Sequence, residues 1–260
     1  MKIATWNVNS IRARLDTVTR WIGEAQPDIA CLQEIKTTDE GFPAKVFQDL
    51  GYNVAVHGQK SYNGVAILSK LPFDEVRPGL PGDDDDNQAR YLEAVVSTGG
   101  RAVRVASIYA PNGNPIGSEK FSYKLAWLER LKKHACDLFR LEEPVVLAGD
   151  YNVIPTDVDV RNPAGWLNDA LFQPESRARF RELVYSGLTD AFRACSGDPG
   201  HYTFWDYQAG SWQKNNGIRI DHLLLTPQAA DILAACRIER DVRGWDRPSD
   251  HVPVWAELAV

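Results

Sequence analysis

Five predicted strands in this sequence carry polar side chains at or near one end. The set is Asn7, Glu34, Asp150 with Asn152, Asp221, and Asp250 with His251. An acid at the edge of an apolar core costs free energy unless a partner compensates its charge. If these strand ends converge, up to four carboxylates meet two or three amides and one imidazole. Because converging carboxylates repel one another, such a site requires a cation.

The donor types also indicate which cation and which reaction. Carboxylate and amide oxygens without a thiol among them are the ligands that Mg²⁺ or Mn²⁺ prefers. A bound cation polarises a phosphoryl oxygen, a carboxylate orients or deprotonates water, and a histidine backed by an acid stabilises developing charge. The pattern therefore predicts metal-dependent hydrolysis of a phosphate ester.

Several of these residues, and Tyr109 at the end of another predicted strand, have a simpler interpretation when each is taken alone. Asp150 can start a Gly-Asp-x-Asn turn, Tyr109 can be a core aromatic at a strand end, and His251 can be a surface histidine. Asp221 can pair with its neighbour Arg219. The recurrence of the same construction on several strands favours a shared site over these separate interpretations.

The elements that must position these residues are short strands interspersed with amphipathic helices. Gly99-Gly100 between two apolar runs predicts a hairpin, and hairpins are too frequent for an all-parallel sheet. The pattern therefore predicts an α/β sandwich of mixed β-sheets with helices outside. Helices are predicted at residues 10–22 (with Ser10 as cap), 44–50, 118–140, 177–185 and 227–235. Strands are predicted at residues 2–8, 28–36, 52–57, 64–70, 91–97, 102–112, 144–152, 201–205, 218–226, 236–242 and 249–258.

Length and composition favour one domain spanning residues 1–260, since the chain is 44% hydrophobic and no linker divides it. The four cysteines stand far apart and are interpreted as reduced core thiols of a cytoplasmic protein, with a disulfide left open. Neither a signal peptide nor a membrane span is indicated. The segment 155–176, rich in Pro, Asp and Asn, is interpreted as a long functional loop.

Charge distribution limits the possible partners. A formal net charge of −6 argues weakly against wholesale non-specific nucleic-acid binding. A local basic face is compatible with this net charge, because four of the acids are clustered in one run, Asp83 to Asp86, and leave fewer acids for the rest of the surface. Like charges crowd poorly in a core, so this run is predicted to be a solvated loop.

Six motifs, in order along the chain, resemble the signatures of the exonuclease III family of AP endonucleases, within the wider endonuclease/exonuclease/phosphatase superfamily. The match runs from Lys2 to Leu258, and six ordered motifs make it specific. The resemblance implies a four-layered α/β sandwich, two mixed sheets packed face to face with helices outside. It also implies a monomeric Mg²⁺ enzyme, with Mn²⁺ as a substitute, that acts on double-stranded DNA with abasic sites or blocked 3′ ends. The motifs are WNVNSIRAR, LQEIK, YAPN, GDYN, RIDH and SDHVPV.

The activities implied by the resemblance are incision of DNA 5′ to abasic sites, 3′ to 5′ exonuclease action, and 3′ phosphatase or phosphodiesterase action. Asp150 would activate the attacking water and Asn152 would hold the phosphate. His251, oriented by Asp221, would contact the scissile phosphate, while Tyr109 would bind phosphate or assist the leaving group. The implied metal region is Glu34, Asn7, Asp250 and Asn9. The implied substrate contacts are Asn112, Arg90, Lys120 and an apolar wall for a base-free sugar formed by Phe204, Trp205 and Ile220.

Three departures from the family pattern affect the site and the DNA-facing loops. Asn9 stands where some relatives have an acid near the metal. The loop 113–117 lacks the arginine that some members insert into DNA, and the nearest basic side chain is that of Lys120. Ile218 replaces a bulky aromatic residue found in part of the family. These departures leave the balance between abasic cleavage and exonuclease action open.

Two other functions compete with this interpretation. One is a different phosphodiesterase of the same superfamily, such as a general deoxyribonuclease or an enzyme acting on inositol phosphates or sphingolipids. The other is a catalytically silent DNA-binding scaffold. The WNVNSIRAR opening and the aromatic segment before RIDH favour abasic DNA over the first. The complete set of acids, amides and histidine favours an enzyme over the second.

Replacing Asn9 tests the metal-region assignment. We expect Asn9→Asp to bind Mg²⁺ more tightly than the wild type, because it adds a carboxylate to the site. A metal titration of both proteins measures the difference. Equal or tighter binding by the wild type would contradict the assignment.

Overall fold

Twelve strands form two six-stranded sheets in the computed structural model, which describes residues 1–260. The strands are β1 (Lys2–Asn7), β2 (Ile29–Gln33), β3 (Asn53–His57), β4 (Val65–Ser69), β5 (Phe73–Pro78), β6 (Tyr91–Thr98), β7 (Arg101–Tyr109), β8 (Val145–Asp150), β9 (Thr189–Asp190), β10 (Asp221–Leu225), β11 (Leu233–Ile238) and β12 (Val254–Leu258). The first sheet has the order β11-β12-β1-β2-β4-β3, and the second has the order β5-β6-β7-β8-β10-β9. Each sheet is mixed, because β1–β2 and β7–β8 are parallel pairs among antiparallel ones.

Four helices cover the outer faces of the two sheets, and the last two, which are short, pack against the core between the sheets. They are α1 (Leu15–Ala25), α2 (Ala44–Asp49), α3 (Glu119–Phe139), α4 (Pro174–Tyr185), α5 (Ala191–Cys195) and α6 (Pro227–Ala230), with 3₁₀ turns at Asp157–Asp159, Pro163–Trp166 and Arg240–Gly244. Trp21 of α1 packs with Trp6 of the first sheet, and Leu131 of α3 packs with Leu147 of the second. The layers are therefore helix, sheet, sheet, helix, and the predicted four-layered α/β sandwich is confirmed.

The inner faces of the two sheets share one apolar core of 22 buried residues. Ile3 and Ile29 come from the first sheet, while Leu92 and Val146 come from the second. Two sheets that bury the same core depend on each other for stability. We propose on this ground that residues 1–260 form a single domain. None of the helices combines the length and the apolar character that a membrane crossing needs.

Strand register brings the polar strand ends to one edge of the sandwich. Asn7 at the end of β1 lies beside Gln33 at the end of the parallel β2, so Glu34 follows at the same edge. In the second sheet, Tyr109 is paired with Asp150 across the parallel strands β7 and β8. Asp221, the first residue of β10, is paired with the same Asp150 in antiparallel register. The predicted convergence of these strand ends is therefore observed.

The first helix begins later than predicted. Residues 8–11 hydrogen-bond to the backbone of residues 33–35 instead of starting a helix, and Ser10 has a positive φ of 85°. The helix starts at Leu15, without a side-chain cap. The physical reason is that the two segments that follow β1 and β2 pair with each other around Glu34.

Two other predicted elements are wrong. Residues 201–205 form no strand, because Phe204 makes only isolated bridges to Ile218 and His251. The helix predicted at 227–235 ends at Ala230, since the following residues form β11 beside β12. The short elements β5, β9 and α5 were not predicted.

Two surface expectations need partial correction. All four cysteines are free, but only Cys31 and Cys236 are buried; Cys136 and Cys195 are exposed. The run 83–86 was predicted to be fully solvated. Its last residue, Asp86, instead has a largely buried carboxylate that accepts hydrogen bonds from Arg130 Nη1 at 3.0 Å and from the Tyr123 hydroxyl.

The close approach of β7 and β8 requires glycine just before Asp150. A Cβ added at Gly149 would lie 2.0 Å from the backbone oxygen of Ile108. Because this neighbour is backbone within a sheet, it has little freedom to move. Gly149 therefore fixes the position of the following carboxylate.

We expect Gly149→Ala to lower the free energy of unfolding by about 3 kcal/mol, as overpacking of a core does. The melting temperature should fall by roughly 10 °C for a chain of this length. Thermal unfolding followed by circular dichroism measures the change. Gly23→Ala is the control, since nothing lies within 4 Å of its added Cβ and alanine favours a helix. An unchanged melting temperature for Gly149→Ala would contradict the packing argument.

Candidate active site

A cavity of about 270 Å³ opens at the edge where the strand ends converge. One wall is polar and the other is apolar. Of the predicted site residues, nine line this cavity. The lining consists of Glu34, Tyr109, Asn112, Asp150, Asn152, Trp166, Asp169, Leu171, Phe204, Ile220, Asp250 and His251.

One amide group links the acids of the two sheets. Asn7 Nδ2 donates to Glu34 Oε1 at 2.9 Å and to Asp150 Oδ2 at 2.9 Å. The amide oxygen of Asn7 accepts from the backbone N–H of Asn9 at 3.0 Å. Asn7 therefore joins two carboxylates through its amide nitrogen, and its predicted role in the metal region stays a prediction.

The imidazole of His251 is oriented by an acid, as predicted. Its Nδ1 lies 2.9 Å from Asp221 Oδ2, and its Nε2 lies 3.8 Å from Asp150 Oδ2. Asp221 is fixed by its backbone N–H, which donates to Thr203 Oγ1 at 3.2 Å. Because Asp221 engages Nδ1, the other ring nitrogen faces the cavity. Asp221 is paired with His251, and not with Arg219 as the simpler interpretation allows.

Burial and charge shift the ionisation of this group. Burial disfavours the imidazolium, but the negative charges of Asp221 and Asp150 outweigh it and raise the pKa of His251. Burial, together with the charge of Asp221, raises the pKa of Asp150 well above its usual range. Burial and the charges of Glu34 and Asp150 raise the pKa of Tyr109, so its hydroxyl keeps its proton. Metal-free, the site is therefore short of positive charge.

Glu34 is partnered differently from Asp150. Its Oε2 lies 2.8 Å from Lys36 Nζ, which also donates to Asn9 Oδ1 at 2.6 Å. Burial alone would raise the pKa of Glu34, but Lys36 and the Asn7 amide lower it below its usual value. Asn9 Nδ2 in turn donates to Asp250 Oδ1 at 3.0 Å. The predicted metal region is thus one hydrogen-bonded chain that includes Lys36, which was not predicted.

The donor set fits a hard divalent cation. Ligand atoms of Asp150, Asp221 and His251 lie within 4.8 Å of one another. Glu34 is joined to Asp150 through one amide, and Asp250 lines the same cavity. Carboxylate oxygens predominate and no thiol takes part, as Mg²⁺ or Mn²⁺ favours.

Two asparagines form the floor beside the acids. Asn152 Nδ2 donates to the carbonyl oxygen of Ala110 at 2.9 Å, and its backbone N–H donates to Asp150 Oδ1 at 2.9 Å. Asn112 Nδ2 donates to Asn152 Oδ1 at 3.3 Å. This arrangement places amide groups next to the carboxylate, where an oxyanion of a substrate would need donors.

The apolar wall differs in part from the prediction. Phe204 and Ile220 line the cavity, and the Phe204 ring lies 4.9 Å from that of His251, edge to face. Trp205 does not line it, because its side chain is fully buried in the outer core, the apolar cluster between the first sheet and α1, and donates to Asn215 Oδ1. The correction follows from alternation, since neighbours in an extended segment point to opposite sides.

The missing part of the wall comes from the loop 155–176. Trp166 and Leu171 of this loop complete the apolar side of the cavity. The sequence identified the loop as functional by its length and composition, but gave no signal for these two residues. Asp159 anchors the loop through an ion pair with Arg219 at 2.7 Å.

Arg90 and Lys120 line a neighbouring cavity of about 340 Å³, and not the site itself. The two cavities meet at Tyr109 and Asn112, which line both. The guanidinium of Arg90 lies 4.9 Å from the centroid of the Tyr109 ring. Their predicted role as substrate contacts therefore remains a prediction for a substrate that extends beyond the central cavity.

The raised pKa of Asp150 predicts a stability cost. Below about pH 3 the carboxyl is protonated in both the folded and the unfolded chain, so it costs nothing. As pH rises, the unfolded chain loses this proton first, and the folded state becomes relatively less stable. Without metal, we expect Asp150→Asn to be more stable than the wild type at pH 8 by roughly 2 kcal/mol, and equally stable at about pH 3.

Thermal unfolding with chelator at the two pH values measures this difference. The control is Asp198→Asn, which changes an exposed acid and should change stability at neither pH. A wild type that is the more stable protein at pH 8 would contradict the burial argument.

Comparison with known proteins agrees with this geometry. The Endonuclease/Exonuclease/phosphatase family matches residues 4–251. Exodeoxyribonuclease III of Haemophilus influenzae is 35% identical, over 99% of this chain and 100% of that protein. The structure of an AP endonuclease from Archaeoglobus fulgidus has a TM-score of 0.93 and 37% identity, covering 100% of both chains.

A further solved structure is that of the 3′ phosphatase NExo from Neisseria, bound to a product DNA hairpin. It has a TM-score of 0.94 and 38% identity, covering 100% of both chains. The family match spans most of the sequence, and these relatives align over nearly all of it. The chain therefore belongs to the endonuclease/exonuclease/phosphatase family, in its exonuclease III branch of AP endonucleases.

Proposed function

We propose that this protein is a Mg²⁺-dependent DNA repair phosphodiesterase acting on double-stranded DNA. It cuts 5′ to abasic sites, degrades DNA from 3′ ends, and removes phosphate or other blocking groups from 3′ ends. Mn²⁺ substitutes for Mg²⁺. The observation that carries this proposal is a single cavity with Asp150 and the His251–Asp221 pair on one wall and apolar side chains on the other.

The polar wall supplies the groups that phosphodiester hydrolysis needs. Asp150 orients the attacking water and accepts its proton. The Nε2–H of His251 donates to a phosphoryl oxygen, and the Asn152 amide holds a second one. The protonated Tyr109 hydroxyl donates to the phosphate or to the leaving oxygen.

Glu34 and Asp250 are the residues that would hold the cation, whose charge polarises a phosphoryl oxygen and favours the ionised form of Asp150. Asn7 keeps Glu34 beside Asp150, so the ligand and the base stay together. Lys36 offsets part of the negative charge of this region, and Asn9 connects Lys36 to Asp250.

The apolar wall accounts for the abasic substrate. A deoxyribose without its base presents apolar surface and no base edge, and the side chains of Phe204, Ile220 and Leu171 offer contact without hydrogen bonds. The relatives named above, an exodeoxyribonuclease III, an AP endonuclease and a 3′ phosphatase, support the same substrate class.

We further propose that the enzyme acts as a monomer in the cytoplasm. Every residue of the site comes from one chain, so the site needs no second copy. Four free cysteines suit a reducing compartment. Light scattering of the purified protein, alone and with duplex DNA, tests the monomer.

A labelled duplex with one abasic site tests the proposed function directly. We expect Mg²⁺-dependent incision on the 5′ side of the lesion, inhibited by chelator, and release of phosphate from a 3′-phosphorylated duplex. Asp150→Asn should lose cleavage of both substrates while still binding DNA. Turnover of an inositol phosphate in place of either duplex would favour the other phosphodiesterases of the superfamily. DNA binding without any turnover would favour a scaffold.

The apolar wall has its own test. We expect Phe204→Ala to lower abasic incision at least about tenfold, through lost burial of the sugar. Removal of a 3′ phosphate should fall less, because that reaction depends on the polar wall. Tyr185→Ala, which truncates an aromatic residue 81% exposed on α4, is the control. Equal losses in both reactions, or none, would contradict the assigned role of the wall.

A further inference from the structure

Lys124 is a buried cation that the reaction described above does not use. It lies on α3 with no exposed surface. Its Nζ donates to the carbonyl oxygen of Asn112 at 2.9 Å and, by a very short bond, to that of Asn152. No carboxylate lies within ion-pair distance of it. Burying an ammonium without an acid is costly, so this placement needs an explanation.

The two carbonyls belong to the segments that form the floor of the cavity. Asn112 follows β7 and Asn152 follows β8. Their side-chain amides are hydrogen-bonded to each other and line the cavity. Lys124 lies on the helix side of both residues, and its one amino group joins their backbones. The distance between the two amides is therefore set partly by this lysine.

The surrounding chain is closed tightly over the lysine. A Cβ at Gly113 would lie 2.5 Å from Lys124 Cδ, and Gly113 has a φ of 88°. Asn114 Nδ2 donates to Asp169 Oδ2 at 3.1 Å, and Asn114 Oδ1 accepts from the N–H of Ala170 at 2.9 Å. The segment 112–114 is thus held from below by Lys124 and from the side by the loop that carries the apolar wall.

We propose that Lys124 is a positioning residue, which fixes the Asn112 and Asn152 amides at the spacing that the reacting phosphate requires. This inference rests on the proposed function and adds a residue that acts through others. Lys124 touches no substrate, because both asparagines and Gly113 separate it from the cavity.

The proposal does not depend on the protonation state of the lysine. Burial lowers the pKa of Lys124 to about 7, while the charges of Asp150 and Asp169 act in the opposite direction. An ammonium has three N–H donors and a neutral amine has two. Either form therefore satisfies both carbonyls.

Lys124→Met is the decisive variant, because it retains the length and apolar stem but has no donor. We expect kcat for abasic incision to fall about 10- to 100-fold, as small misplacement of catalytic groups does. KM for the duplex should change less than about threefold, because Lys124 itself does not line the cavity. Lys124→Arg, which keeps donors, should recover most of the lost kcat.

A purely structural lysine gives a different result. Lys124→Met would then have a lower melting temperature, but wild-type kcat well below that temperature, and Lys124→Arg would give no gain in rate. That result would overturn the inference. Lys133→Met, on the exposed side of the same helix, is the matched control and should leave kcat and KM unchanged.

Two further arms keep the test decisive. If Lys124→Met does not fold, Lys124→Gln replaces it. The glutamine side chain is one bond shorter than that of lysine, so its amide reaches one carbonyl at most. A reduced kcat then supports the inference, and a wild-type kcat overturns it. If the wild type and Lys133→Met do not cut abasic DNA, the proposed function itself fails. If they cut and Lys124→Met cuts equally fast, the inference alone fails.

Discussion

The structure depends on keeping carboxylates from two different sheets together at one edge of the core. Glu34 follows a strand of the first sheet and Asp150 ends a strand of the second, yet both accept hydrogen bonds from one amide group, that of Asn7. Buried acids repel each other and lose hydration, so they stay close only because the shared inner core holds the sheets in fixed register. The requirement for a cation follows from this same constraint.

Two buried basic side chains support the loops around the site in different ways. Arg219 is paired with Asp159 and Asp190, at 2.7 and 2.8 Å, and these ion pairs anchor the loop that carries the apolar wall. Lys124 has only backbone carbonyls as partners. The ion pairs of Arg219 compensate its charge and hold the loop in place. Lys124 has no acidic partner, and its hydrogen bonds instead fix the positions of Asn112 and Asn152.

Five of the twelve non-glycine residues with a positive φ lie at or beside the same edge. Asn9, Ser10, Glu34, Lys36 and Asn152 all have positive φ values, between 44° and 85°, although none is glycine. Such conformations cost free energy and persist only where the surroundings enforce them. Together with the buried carboxylate of Asp150, they place a local cost in free energy at the site. Strain and buried charge are the usual consequence of positioning reactive groups before the substrate arrives.

The sequence by itself determined the strands buried on both faces, the long helix α3 and the hairpin at Gly99-Gly100. It also determined the acids and the histidine that meet at one edge. Both kinds of feature follow from local signals, which are apolar periodicity and the polarity of strand ends. Only the tertiary structure decided that Trp205 points into the outer core while Trp166 and Leu171 complete the apolar wall. It also decided that residues 8–11 pair around Glu34 before α1 begins, and that Lys124 lies beneath both asparagines. These features arise from contacts between segments far apart in the chain, and no local pattern encodes which distant backbone or side chain a residue will meet.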